Sequence, residues 1–220
     1  MYKFFCNTLK DDYFILDEET IKHLKVIRIK NEPFLINYNK EFYQCKLFGL
    51  DKAKIISKLN INNEIGRELV VAIPAIKQAN FEIAIQKAVE LGATKIIPFI
   101  SQYCDKSNFH FLENRQRLLK IIKHAAQQSF RNIIPELLEL CDYKNVINYN
   151  IDLKLLSYEN EKKVFIEKED KDILIIVGPE GGFSPEEIKI AELNNVKIVA
   201  LTKTILRTET ALIYMLSKIV

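Results

Sequence analysis

Residues 173–193 read ILIIVGPEGGFSPEEIKIAEL, and the fold class follows from them. Ile173 to Val177 is an unbroken apolar, mostly β-branched run that stops at Gly178. Such a run, bounded by glycine, predicts a strand buried on both faces inside a parallel sheet. Ser184 fits an N-cap, Pro185 the first helical position and Glu187 the reciprocal partner of a capping box, so a helix begins at once. Gly178, Pro179, Glu180, Gly181 and Gly182 therefore lie between the carboxyl end of an inner strand and a helix, where open α/β sheets bind ligands. One glycine there needs no more than a backbone explanation. Three of the chain's six glycines, two of them adjacent, leave backbone groups uncovered for a small molecule. Neither G-x-x-x-x-G-K-[ST] nor G-x-G-x-x-G occurs, so the turn predicts a nucleotide held by backbone edges rather than through its phosphates.

Outward from this turn, strand and helix alternate, which predicts an α/β domain with a parallel sheet over residues 67–220. Leu69 to Ile73, Lys95 to Ile100, Leu153 to Tyr158 and Val196 to Leu201 read as strands. Helices are expected over Asn80 to Leu91, around Leu118 to Ala125, and from Thr208 to Val220. Residues 1–66 differ. Tyr2 to Cys6, Phe34 to Tyr38, Phe42 to Leu50 and Ala53 to Leu59 read as short strands of a β-barrel, with one helix near Thr20 to Arg28. Asn62 to Gly66 reads as a polar linker between the two domains.

Composition narrows the function classes. With 48% hydrophobic and 28% charged residues the 220-residue chain is ordinary for a globular protein, and its net charge of +3 does not by itself imply nucleic-acid binding. The four cysteines are far apart with no C-x-x-C pair, which argues against a zinc site and a disulfide framework, so no metal is expected. The amino terminus has no signal-like apolar region, and no apolar run approaches the length of a membrane span. The expectation is a cytoplasmic protein without membrane association.

Charge is local. Lys106 to Arg131 holds Lys106, Arg115, Arg117, Lys120, Lys123 and Arg131 against the single acid Glu113, and leads into Gln128 and Arg131 beside Asn132. A basic helix face is commonly just solvated, yet this concentration suits a phosphate-contacting surface. Lys22, Lys25 and Arg28 on the short helix of the first domain form a second basic face. Near the carboxyl end, L-T-K-T-I-L-R-T-E-T-A (Leu201 to Ala211) places Thr208 to cap the last helix, with Glu209 near its positive end. Arg207 beside that helix start opposes the dipole, which makes sense if it holds an anionic or carbonyl-bearing substrate.

G-P-E-G-G-F-S-P-E-E together with I-L-R-T-E-T-A resembles the SPOUT-class RNA methyltransferases, and specifically the family that methylates N3 of a uridine in 16S ribosomal RNA. The resemblance extends to Lys87–Pro98, to Gln128–Pro135 and to H-L-K-V-I-R in the first domain, so it spans nearly the whole chain. It implies an amino-terminal PUA-like β-barrel that helps bind RNA, a trefoil-knotted α/β domain, a homodimer and S-adenosyl-L-methionine as cofactor. Carried over position by position, the cofactor loops are Ser157 and Tyr158; Gly178, Pro179, Glu180, Gly181 and Gly182; and Leu201, Ile205, Leu206 and Thr208. Arg207, Glu209 and Glu180 are the expected catalytic residues. Lys22, Lys25, Arg28, Arg115, Lys120, Lys123, Gln128 and Arg131 are the expected RNA contacts. The chain departs from the family at Thr202 and Thr204, where glycine and arginine are usual. The competing expectations are a non-catalytic RNA-binding or ribosome assembly factor, and a SPOUT enzyme that methylates a ribose 2′-hydroxyl of transfer RNA.

Overall fold

The computed structural model describes all 220 residues, and the chain divides into two compact units. The first comprises residues 1–64 and 127–133, the second 65–126 and 134–220.

The first unit is a six-stranded sheet with one helix. Its strands are β1 (Lys3–Phe5), β2 (Leu9–Lys10), β3 (Tyr13–Ile15), β4 (Phe34–Tyr38), β5 (Glu41–Phe48) and β6 (Lys52–Leu59), in the order β1-β4-β5-β6-β3-β2. The sheet is curled into a half-barrel whose edge strands β1 and β2 do not pair. Phe4, Phe14, Phe34, Ile36 and Cys45 fill its concave face. The helix α1 (Glu18–Val26) is capped by Asp17, whose carboxylate accepts from the Thr20 N–H at 2.7 Å. The helix therefore begins two residues before Thr20 and ends two residues before Arg28.

Residues 127–133 belong with this unit for a physical reason. The Arg131 guanidinium donates to the Glu64 carboxylate, with Nη2···Oε2 at 2.6 Å. Asn132 donates to the carbonyls of Lys40 and Ile61, both at 2.8 Å, while its own carbonyl accepts from Asn37 at 3.1 Å. Phe130 packs edge-on against Phe42, 4.8 Å between ring centroids. These are long-range contacts that no local pattern in the sequence announces.

The second unit is built on a seven-stranded parallel sheet. Its strands are β7 (Leu69–Pro74), β8 (Lys95–Ile100), β9 (Glu136–Leu137), β10 (Cys141–Asp142), β11 (Leu153–Ser157), β12 (Ile173–Ile176) and β13 (Lys197–Val199). The order is β10-β8-β7-β12-β11-β13, with β9 also on β8. β12 lies between β7 and β11, and every residue of it is fully buried, as the apolar run predicts. Helices α2 (Gln78–Glu90), α3 (His110–Glu113), α4 (Arg115–Gln128), α5 (Tyr143–Ile147), α6 (Pro185–Leu193) and α7 (Thr208–Ile219) connect or flank the strands.

The capping box at α6 is complete: Ser184 Oγ accepts from the Glu187 N–H, and Glu187 Oε2 accepts from the Ser184 N–H. The other oxygen of Glu187 accepts from Ser101 Oγ and from the Gln102 N–H, both at 2.9 Å. A buried carboxylate is tolerated here because both oxygens are occupied. No helix is long and apolar enough to cross a membrane.

Candidate functional site

The loops after β11, β12 and β13 leave the sheet at one end and line a single cleft of about 600 Å³. That volume lies within the ~300–1,000 Å³ of small-molecule and cofactor sites. Ser157 and Tyr158, Gly178 to Gly182, and Leu201, Ile205, Leu206 and Thr208 all line it, so the three stretches singled out in the sequence are brought together. Parallel strands do this without help, since their carboxyl ends share one edge of the sheet.

The middle loop is shaped for close approach of its backbone. Gly182 has φ +73°, and a Cβ there would lie 2.9 Å from Glu159 Oε1. A Cβ on Gly181 would lie 2.9 Å from Tyr103 Cβ. A side chain at Gly182 would therefore displace Glu159 from the cleft wall and demand a left-handed backbone that only glycine adopts freely, and one at Gly181 would collide with Tyr103. The N–H of Gly182 bonds to the Pro179 carbonyl, whereas those of Gly178, Gly181 and Leu206 have no partner in the chain. Backbone edges left open in a cleft are suited to a purine ring or a ribose.

One side chain ties two loops. Thr208 Oγ1 donates to the Gly178 carbonyl at 2.7 Å and is buried. Thr208 is thus the first residue of α7 rather than its cap; Arg207 holds the cap position in extended conformation and makes no side-chain cap bond. The Arg207 guanidinium is exposed at the cleft and has no acidic partner. Glu209 also lines the cleft with no hydrogen-bond partner for its carboxylate. Glu180 reaches the start of α2, where Oε1 accepts from the Lys77 N–H at 3.4 Å. An unpaired cation and an unpaired carboxylate two residues apart at the start of one helix can stabilise charge and move or hold a proton.

The comparisons with known proteins agree with this geometry. A family model described as an RNA methyltransferase domain matches residues 63–220. Ribosomal RNA small subunit methyltransferase E of Mesomycoplasma hyopneumoniae is 42% identical over 99% of this chain and 98% of its own length. The chain belongs to the ribosomal RNA small subunit methyltransferase E family. A more distant member, from Aquifex aeolicus, is 29% identical over 99% of this chain and 98% of its own length. Among solved structures, the Neisseria gonorrhoeae ribosomal RNA small subunit methyltransferase E, crystallised with S-adenosyl methionine, superposes with a TM-score of 0.89 at 27% identity, covering 99% of this chain and 95% of that one. A methyltransferase from Legionella pneumophila in complex with its bound cofactor gives a TM-score of 0.85 at 27% identity, over 98% and 95% of the two chains. The fold is accordingly that of a SPOUT methyltransferase.

The last loop carries its two departures from the family pattern, Thr202 and Thr204, against each other. Thr202 Oγ1 donates to the Thr204 carbonyl at 2.6 Å, so the two threonines close this turn on themselves. Ile205, next along, is 83% exposed on the cleft wall. Lys77, Asn80, Glu159, Glu161 and Lys162 also line the cleft, and the sequence reading passed over them. For Lys77 and Asn80 a signal was available: Pro74 ends β7, and the loop after a parallel strand opens on the same edge as its neighbours.

The expected RNA contacts fare unevenly. Lys22, Lys25 and Arg28 are exposed on or just after α1; Lys22 is 3.9 Å from Glu18. Lys120 and Gln128 are exposed, and Lys123 is half-buried. Arg115 is committed, donating to the carbonyls of Leu137 and Leu138 and lying 3.3 Å from Glu139. Arg131 is only 3% exposed and is engaged with Glu64, so its guanidinium holds residues 127–133 to the first unit instead of facing solvent.

Proposed function

We propose that this protein transfers a methyl group from S-adenosyl-L-methionine to N3 of a uridine in the 16S RNA of the small ribosomal subunit. The observation that carries the reading is the cleft itself: three loops at one sheet edge, two glycines that keep its wall open, and Arg207 and Glu209 unpaired beside it. Relatives named as ribosomal RNA small subunit methyltransferases match this chain over 99% of its length, one of them in structure with S-adenosyl methionine bound, which supports the reading.

The residues fit the cofactor. The open N–H groups of Gly178, Gly181 and Leu206 suit an adenine edge, and Ile205 and Leu206 suit its apolar face. Ser157, Tyr158, Pro179, Gly182, Leu201 and Thr208 complete the wall. When bound, S-adenosylmethionine supplies a methyl group made electrophilic by its sulfonium.

The chain's own residues prepare the nucleophile. Uracil N3 carries a proton at neutral pH and must lose it before the nitrogen can attack. Arg207 is the cation that stabilises negative charge developing on the base, and Glu209 accepts or orients the proton. Glu180, bonded to the Lys77 N–H at the start of α2, orients the substrate. Alignment of the reacting atoms supplies much of the remaining acceleration. Lys22, Lys25, Arg28, Lys120, Lys123 and Gln128 are the proposed contacts to RNA.

The same reading includes a PUA-like RNA-binding role for the first unit, a trefoil-knotted second unit, a homodimer, a cytoplasmic location and no metal requirement. Calorimetry with S-adenosylmethionine followed by methyl transfer to undermethylated small subunits tests it. The expected result is saturable cofactor binding and stoichiometric methyl incorporation. Heat of cofactor binding without transfer to ribosomal RNA, or transfer to transfer RNA, refutes it; absence of both heat and transfer leaves the assembly-factor reading standing.

A further inference from the structure

The convex face of the first unit carries an arrangement that no reading above uses. β5 and β6 run antiparallel in the interior of the six-stranded sheet, and β3 pairs with the other side of β6. The register sets Lys46 opposite Lys54 and Phe48 opposite Lys52 on β5 and β6. It also sets Tyr13 opposite Lys54 and Ile15 opposite Lys52 on β3 and β6. Residues directly opposed across a ladder point to the same face, so these six side chains form one patch.

Two features of the patch are costly for an isolated protein. Like charges directly opposed across a ladder are destabilising, and Lys46, Lys52 and Lys54 have no ion pair to relieve them. Lysine on an edge strand guards against aggregation, but β5 and β6 are interior strands, so that explanation does not apply. Phe48, meanwhile, is 52% exposed, its ring 5.0 Å from that of Tyr13 and tilted by 44°. A large aromatic left in water among unpaired lysines matches what single-stranded nucleic acid requires: cations for the phosphates and a ring on which a base can stack.

We infer that this face binds a single-stranded segment of RNA, with Lys46, Lys52 and Lys54 on its phosphates and a base stacked on Phe48 beside Tyr13. The inference rests on the RNA-directed reading above and adds a surface to it, separate in the sequence from the α1 lysines. Its charge complements a polyanion, and its aromatic pair distinguishes exposed bases from a closed duplex.

The test uses the full chain, a fluorescein-labelled twelve-nucleotide single-stranded RNA, and the same RNA annealed to its complement. In a K46Q/K52Q/K54Q variant, affinity for the single strand falls about ten-fold or more at low salt, and the slope of log affinity against log salt drops by about 2, from ~0.7 per phosphate contact. In Phe48→Ala the affinity falls about five-fold or more with the salt slope unchanged. The lysine variant unfolds at a temperature no lower than wild type, because a like-charge pair has been removed. Single-strand affinity and slope equal to wild type in the lysine variant, or wild-type affinity in Phe48→Ala, overturn the inference. So does wild-type protein binding the duplex as tightly as the single strand. Cofactor calorimetry on the same variants keeps the two claims apart: wild-type heat with unchanged RNA affinity sinks this surface alone, and absent heat in the wild type sinks the parent reading.

Discussion

At the scale of single residues, the account depends on which side chains are spent and which are free. Arg207 is free, so Arg207→Ala should leave cofactor affinity near wild type while kcat falls by about 10²–10³, the size of losing one preorganised charge-stabilising donor. Calorimetry alongside single-turnover methyl transfer checks this; unchanged turnover contradicts it. Thr208 is spent. Thr208→Val removes the hydroxyl bond to the Gly178 carbonyl and should cost about 1 kcal/mol and weaken cofactor binding, while Thr208→Ser preserves both. Thermal melts with and without cofactor separate the two variants. Gly182→Ala meets a left-handed φ of +73° and the Glu159 carboxylate, so it should lose cofactor affinity at least ten-fold with little change in the rest of the fold. Cys45 takes no part: burial pushes its thiol up to about 12, which keeps it protonated at neutral pH.

At the scale of elements, the second unit was legible and the first only in part. β12 declared itself because an all-apolar run is the signature of a strand covered on both faces, and the α6 capping box followed from Ser184, Pro185 and Glu187 by local chemistry alone. β2 and β3 were missed because Leu9 to Ile15 is interrupted by Asp11 and Asp12, which form the turn of a hairpin too short to show alternation. Residues 127–133 were misplaced for a different reason. Their allegiance to the first unit is set by Glu64, Lys40 and Asn37, partners about 70 to 95 positions away, and no periodicity encodes such pairing. The RNA role expected of Arg131 met the same fate, since an arginine buried on a distant carboxylate looks in the sequence like any exposed one. Removing one partner of a buried pair costs about 3–5 kcal/mol. Arg131→Met should therefore lower stability by about 3 kcal/mol in urea titrations, with RNA affinity of the folded fraction preserved. Unchanged stability with lost RNA affinity would return Arg131 to the RNA.

At the scale of the whole molecule, the sequence reached the family before the fold, because the motifs of the three loops are short, ordered and distinctive. The cleft shows why they travel together: they lie far apart in the chain but at one edge of a parallel sheet. What pattern alone could not supply was the state of each charge within that cleft, with Arg207 at the cap position of α7 but unbonded and Glu180 bonded at the start of α2. The central claim is a reaction at one atom of one class of RNA. Its most direct test is to incubate the purified protein and labelled S-adenosylmethionine with small ribosomal subunits from a strain lacking the corresponding enzyme, then to map the label by nuclease digestion and mass spectrometry. The account predicts one 3-methyluridine per small-subunit RNA, abolished by Arg207→Ala. Label on a ribose hydroxyl, on another base, or on transfer RNA added in competition would contradict it.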